Sequence, residues 1–109
     1  MAGLLRRRRT KPADAGSTDP SIVSIAVAPA RRMVKVCGEV TRMRARPTTG
    51  LPALAVSISD DSGTAVAVWT GRRAIGGVVL GRRLVIEGVA VRRGDQLEFM
   101  NPEYTLLRR

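Results

Sequence analysis

The sequence predicts an all-β protein built as one small, five-stranded barrel of Greek-key order behind a basic N-terminal arm. Three observations predict it. From Met33 onward, short apolar and β-branched runs alternate with turn residues, the pattern of a small sandwich or barrel. Two of those runs carry an internal glycine, Gly38 and Gly88, where a kink lets one strand serve both sides of a small barrel. The length of 109 residues, less a polar arm, leaves roughly 75 residues for a single core.

Residues 1–32 form the arm. Arg6 to Arg9, Lys11, Pro12, Asp14, Gly16 and Pro20 lie in a stretch too poor in apolar residues to fold alone, so it is expected to be largely disordered. Ser21 to Ala28 is a short apolar segment closed by Pro29, expected to rest loosely on the barrel. The folded domain is placed at residues 33–107.

The first strand, Val34 to Met43, sets Val34, Val36, Gly38 and Val40 on one face and Lys35, Glu39 and Thr41 on the other. The second, Ala53 to Ser59, sets Leu54, Val56 and Ile58 against Ala55, Ser57 and Ser59, and Asp60-Asp-Ser-Gly63 then turns the chain. In the third, Thr64 to Thr70, both faces are apolar: Ala65, Ala67 and Trp69 on one, Val66 and Val68 on the other. The pattern does not choose between them. The link Gly71 to Gly81 holds four glycines, which argue against a long helix, although Ile75 and Val78 can close the barrel bottom. Arg83 to Val91 is the fourth strand, and Gln96 to Met100 the fifth, with Leu97 and Phe99 facing one way and Gln96 and Glu98 the other.

Three strands, a link and two strands match the OB-fold, whose sheet face and two loops bind oligonucleotides. The stretches VSISDDSGTAVAVWTGRR and LGRRLVIEGVAVRRGDQLEFMNPEY resemble the OB domains of the RecG helicase wedge and of tRNA-anticodon-type modules, most of all at Met100-Asn-Pro-Glu-Tyr104. Val68 to Arg73 is similar to a stretch of small stand-alone actinobacterial OB-fold nucleic-acid-binding proteins. The resemblance covers residues 33–107 and implies a fold and a binding role. It implies no motor, because the chain has no phosphate-binding loop of the Gly-x-x-x-x-Gly-Lys-Ser/Thr type.

Charge and composition narrow the function. Nineteen Lys plus Arg against nine Asp plus Glu give a formal charge of +10, and all the basic residues except Lys11 and Lys35 are arginine. Such a chain attracts polyanions, and guanidinium groups suit phosphate geometry. Residues 1–32 carry seven basic and two acidic residues, so charge is densest in the arm. With one cysteine, Cys37, and no histidine, the usual zinc sets and the commonest general base are missing. The expectation is a non-enzymatic protein with no cofactor, no metal and no small-molecule substrate. No apolar run approaches the roughly 20 residues that span a bilayer, so no membrane role is expected and the reading is cytoplasmic.

In an OB-fold the ligand crosses strands two and three between the loop joining strands one and two and the loop joining strands four and five. Arg42, Arg44 and Arg46 alternate toward the first loop and would project from one side as a row if the strand persists. Arg92 and Arg93 enter the second loop, expected at the matching end of the barrel, with one of the two reaching the ligand. Trp69 is either a stacking platform for a base or a partly buried core residue, with Arg72 and Arg73 just beyond it. Aromatics are only 3% of residues, so the expected partner is single-stranded DNA or RNA held by backbone charge with slight sequence preference. The competing reading is a protein-interaction module docking on an acidic partner or on a second copy.

Overall fold

The computed structural model describes residues 19–47 and 49–108. Arg6 to Arg9 and the rest of the first eighteen residues lie outside the described residues. The strands are β1 (Met33–Arg46), β2 (Ala53–Ser59), β3 (Thr64–Thr70), β4 (Arg83–Arg93), β5 (Gln96–Met100) and β6 (Glu103–Leu106). Their hydrogen-bonded order is β1-β2-β3-β5-β4-β6, and β1 also pairs with β4, which closes the first five into a barrel. All pairings are antiparallel except β3 with β5. This is the OB-fold arrangement that the run pattern predicts.

Closure depends on β1 serving two partners. Met33 to Glu39 pair with β4, and Glu39 to Arg46 pair with β2. Where the strand changes partner, Gly38 lies under the backbone of Ser59: a Cβ there would sit 2.9 Å from the Ser59 carbonyl oxygen. Glycine is required by that close approach.

Trp69, Leu54, Val56, Ile58, Ala65, Ala67, Leu84, Ile86, Ala90, Leu97 and Phe99 share one core, so the face of β3 that carries Trp69 is the inner one. Ile75 and Val78 of the β3–β4 link are buried in the same core, as expected.

Two features depart from the expectation. Residues 19–32 do more than rest on the barrel. Ile25 and Ala28 are buried in its core, Ile22 bridges to Lys35, and the 3-10 turn Ile25–Val27 is held by Asp60 Oδ2 on the Ile25 amide and Ser62 Oγ on that of Ala26. The apolar segment thus supplies core that a barrel of this size needs. The second departure is β6. Asn101 takes a positive φ of 50° and Pro102 has no N–H to give, so β5 stops at Met100 and the chain rejoins β4 from Glu103.

Candidate nucleic-acid interface

The outer face of β1, β2, β3 and β5 is set by one irregularity. Before Thr41 the even-numbered residues of β1, Val36 and Val40, point into the core. Continued unbroken, that phase would also send Arg42, Arg44 and Arg46 inward. Instead the register with β2 shifts between Val40, opposite Ile58, and Arg42, opposite Ser57, leaving Thr41 as an extra residue. This bulge exchanges the two faces of the strand. Met43 now packs against the core, and Arg42, Arg44 and Arg46 stand outside, opposite Ser57, Ala55 and Ala53. The strand persists through Arg46, so the three arginines do form an exposed row, spaced by about 6.8 Å per pair of residues. Among the described residues, Arg42 and Arg44 make no ion pair.

Beside the row lies a floor of small apolar side chains. Ala53, Ala55, Val66 and Val68 are on the exterior of the barrel, yet only 1–6% exposed. Glu98, opposite Val66 in register, has a side chain only 8% exposed. Arg46 Nη2 lies 3.4 Å from its Oε2, and Arg93 Nε donates to its Oε1 at 2.9 Å. By register Arg46 belongs beside Ala53 and Thr70, so to reach Glu98 its side chain crosses the floor over β2 and β3.

The loop geometry corrects one expectation. Arg46 neighbours Ala53 and Thr70, whereas Arg93 neighbours Gln96 at the end where β3 begins, so the two loops leave opposite ends of the strands rather than matching ones. The reason is that β5 runs parallel to β3, which puts the β4–β5 turn beside the β2–β3 hairpin. The long side chains nevertheless converge on Glu98. Of the adjacent pair, Arg93 takes the outer phase, while Arg92, opposite the buried Leu97, sits on the other side at the rim. Arg72 and Arg73 are exposed just after Gly71, whose N–H donates to the Pro52 carbonyl of the β1–β2 loop at 2.7 Å. They therefore flank the Arg46 end of the face.

Trp69 is not on this face. It is 6% exposed, its indole N–H donates to the Pro102 carbonyl oxygen at 3.0 Å, and Tyr104 meets it edge-on with ring centroids 5.8 Å apart. The stacking-platform alternative is corrected to the core one, because the inward phase of β3 buries both ring faces. Met100 to Tyr104 is likewise a structural corner: Asn101 Oδ1 accepts from the Thr70 amide, and Tyr104 Oη donates to the Gly76 carbonyl. Sequence reasoning passed over Glu98. Its only signal was an acidic residue alternating with Leu97 and Phe99 on a face otherwise rich in arginine.

Among the described residues no group of His, Cys, Asp and Glu is arranged to hold a metal ion, and no helix is long and apolar enough to cross a membrane. No protein-family model and no curated protein matches the chain. Among solved structures, a chain of the crystal structure of yeast Stn1 and Ten1 is similar, with a TM-score of 0.55 at 18% sequence identity. The match covers 71% of this chain and 43% of that one, so this chain spans less than half the length of its structural neighbour. What the two share at that identity is the OB-fold barrel.

Proposed function

We propose that this protein is a non-enzymatic OB-fold module that binds single-stranded nucleic acid, DNA or RNA, across the outer face of β1, β2 and β3. The observation that carries the reading is the exposed row of Arg42, Arg44 and Arg46, turned outward by the bulge at Thr41 onto the face where OB-folds take oligonucleotides. Arg72, Arg73 and Arg93 extend positive charge to both ends of it. The similarity to the yeast Stn1 and Ten1 structure supports the fold that this reading needs. Guanidinium groups on an open strand contact phosphates, so binding is salt-sensitive and only slightly sequence-selective.

Titration of a labelled oligonucleotide at low and moderate salt, followed by amide chemical shifts, tests it. Arg42, Arg44 and Arg46 should respond together, with affinity falling steeply as salt rises. Absence of binding at low salt overturns the reading, and salt-insensitive binding overturns its electrostatic basis.

One observation favours a second reading, docking on a protein. Met33, Val89, Val91 and Met100 are exposed large apolar side chains, and Met33 stands opposite Val89 on the outside of β4. Shifts confined to these residues upon mixing with a protein partner, with none from oligonucleotide, would favour it.

A further inference from the structure

Binders of single strands lean on flat side chains against which bases stack. No aromatic side chain lies on the outer face here: Trp69 and Phe99 are core, and Tyr104 is on β6, packed edge-on to Trp69. On β5, beside β3, that face carries Glu98 with two guanidinium groups fastened to it, one from each end of the strands.

An ion pair around a nearly buried carboxylate adds little stability, because desolvating the charges offsets most of their attraction. It does fix geometry. Arg93 donates through Nε and Arg46 approaches through Nη2, which leaves the remaining N–H donors of each group uncommitted. Both side chains stay open to solvent, Arg46 at 43% and Arg93 at 69%, while Glu98 beneath them is covered. Arg46 in particular reaches Glu98 past the outer cluster of Ala53, Ala55, Val66 and Val68, whose side chains are short. Guanidinium planes stack on bases and serve as platforms for unpaired strands.

We infer that the Arg46–Glu98–Arg93 cluster is the base-stacking platform of this barrel, with Glu98 as the positioning residue that holds both guanidinium planes in place. The inference rests on the nucleic-acid reading and adds to it a contact with bases. Glu98 touches no ligand in this scheme. Its carboxylate organises the two arginines, as a second partner organises a binding side chain elsewhere.

The test uses the full chain and two labelled probes of equal length, oligothymidylate and an abasic deoxyribose-phosphate strand. The unmodified protein should bind oligothymidylate about tenfold more tightly than the abasic strand, the effect of one stacked base. Arg46→Lys keeps the charge but loses the plane. It should weaken oligothymidylate binding more than abasic-strand binding, so that the ratio falls toward one. Glu98→Gln removes a negative charge from the face, so electrostatics alone would tighten binding of both probes equally. Under the positioning role the ratio falls toward one instead. Thermal melting of both variants checks their folding, and the exposed Arg46 site keeps the test decisive if Glu98→Gln unfolds. A ratio that stays near tenfold in Arg46→Lys, or that is already near one in the unmodified protein, overturns the platform alone. Failure of the unmodified protein to bind either probe overturns the nucleic-acid reading itself.

Discussion

The indole N–H of Trp69 and the carbonyl oxygen of Pro102 meet at 3.0 Å, tying the end of β3 to the corner where β5 gives way to β6. Pro102 is itself buried, so its carbonyl has little access to water as an alternative partner. Trp69→Phe keeps most of the ring volume but leaves that acceptor unmet, and should cost about 1–3 kcal/mol in chemical denaturation followed by circular dichroism. Because Trp69 is the only tryptophan and faces inward, its fluorescence reports on folding and not on ligand. Its emission should stay unchanged when oligonucleotide is added, and strong quenching would contradict its placement in the core.

The bulge at Thr41 makes a sharper demand. Thr41 is exposed and its side chain makes one long contact, Oγ1 to the Ser57 carbonyl at 3.4 Å. Thr41→Ala should therefore shift stability by no more than about 0.5 kcal/mol. Deleting Thr41 removes the extra residue, so Arg42 follows Val40 directly and takes the opposite face, which keeps Val36, Val40 and Met43 toward the core and Arg42, Arg44 and Arg46 outside. The deletion should therefore keep cooperative thermal unfolding and the outward arginine row. A deletion variant that loses its cooperative transition would show that the outward phase of the row needs the extra residue itself.

Asp19 gives the fold a dependence on acid. The Lys35 ammonium, 2.9 Å away, and then the hydroxyl and amide of Ser21 hold its carboxyl well below the usual carboxylate range. Asp19 in turn holds the Lys35 ammonium above its ordinary value. A carboxylate whose pKa is lower folded than unfolded contributes stability above its unfolded value of about 3.9, and loses it as pH falls through the folded one. For Lys35 the contribution is present below about 10.4 and is lost as pH rises through its raised folded value. Asp19→Asn should lower the melting temperature at neutral pH. The gap from the unmodified protein should close as the pH is taken below about 4. A gap that is constant over that range would remove the ion pair as its cause.

Arg42 and Arg44 are the simplest probes of the proposed interface, because they make no ion pair among the described residues. Each substitution by Gln should leave melting unchanged and weaken oligonucleotide binding to a similar degree whatever the sequence. The slope of log affinity against log salt should become shallower by about 0.7 for each phosphate of the single strand that is no longer neutralised. An unchanged slope in the double variant would move the binding surface elsewhere.

Much of this architecture was legible in the linear pattern. The alternation of Leu54, Val56 and Ile58, the Asp60 to Gly63 turn, the Leu97 and Phe99 face and the glycine at position 38 led to a closed barrel, because period and turn chemistry are local properties. The candidate site was legible only in part. The row of Arg42, Arg44 and Arg46 follows from alternation, but the same alternation puts it in phase with the core-facing valines, and only the bulge against β2 turns it outward.

Composition and periodicity by themselves determined an all-β chain with one core, a strong positive charge and arginines spaced along one strand. Tertiary structure alone decided which face of β3 is inside, that Ile25 and Ala28 complete the core, that Trp69 is buried, and that Glu98 gathers Arg46 and Arg93 from opposite ends of the sheet. The physical reason is common to all four. Each depends on pairing between residues far apart in the chain, and a strand whose two faces are both apolar, or whose phase can slip by one residue, carries no local information about its partner.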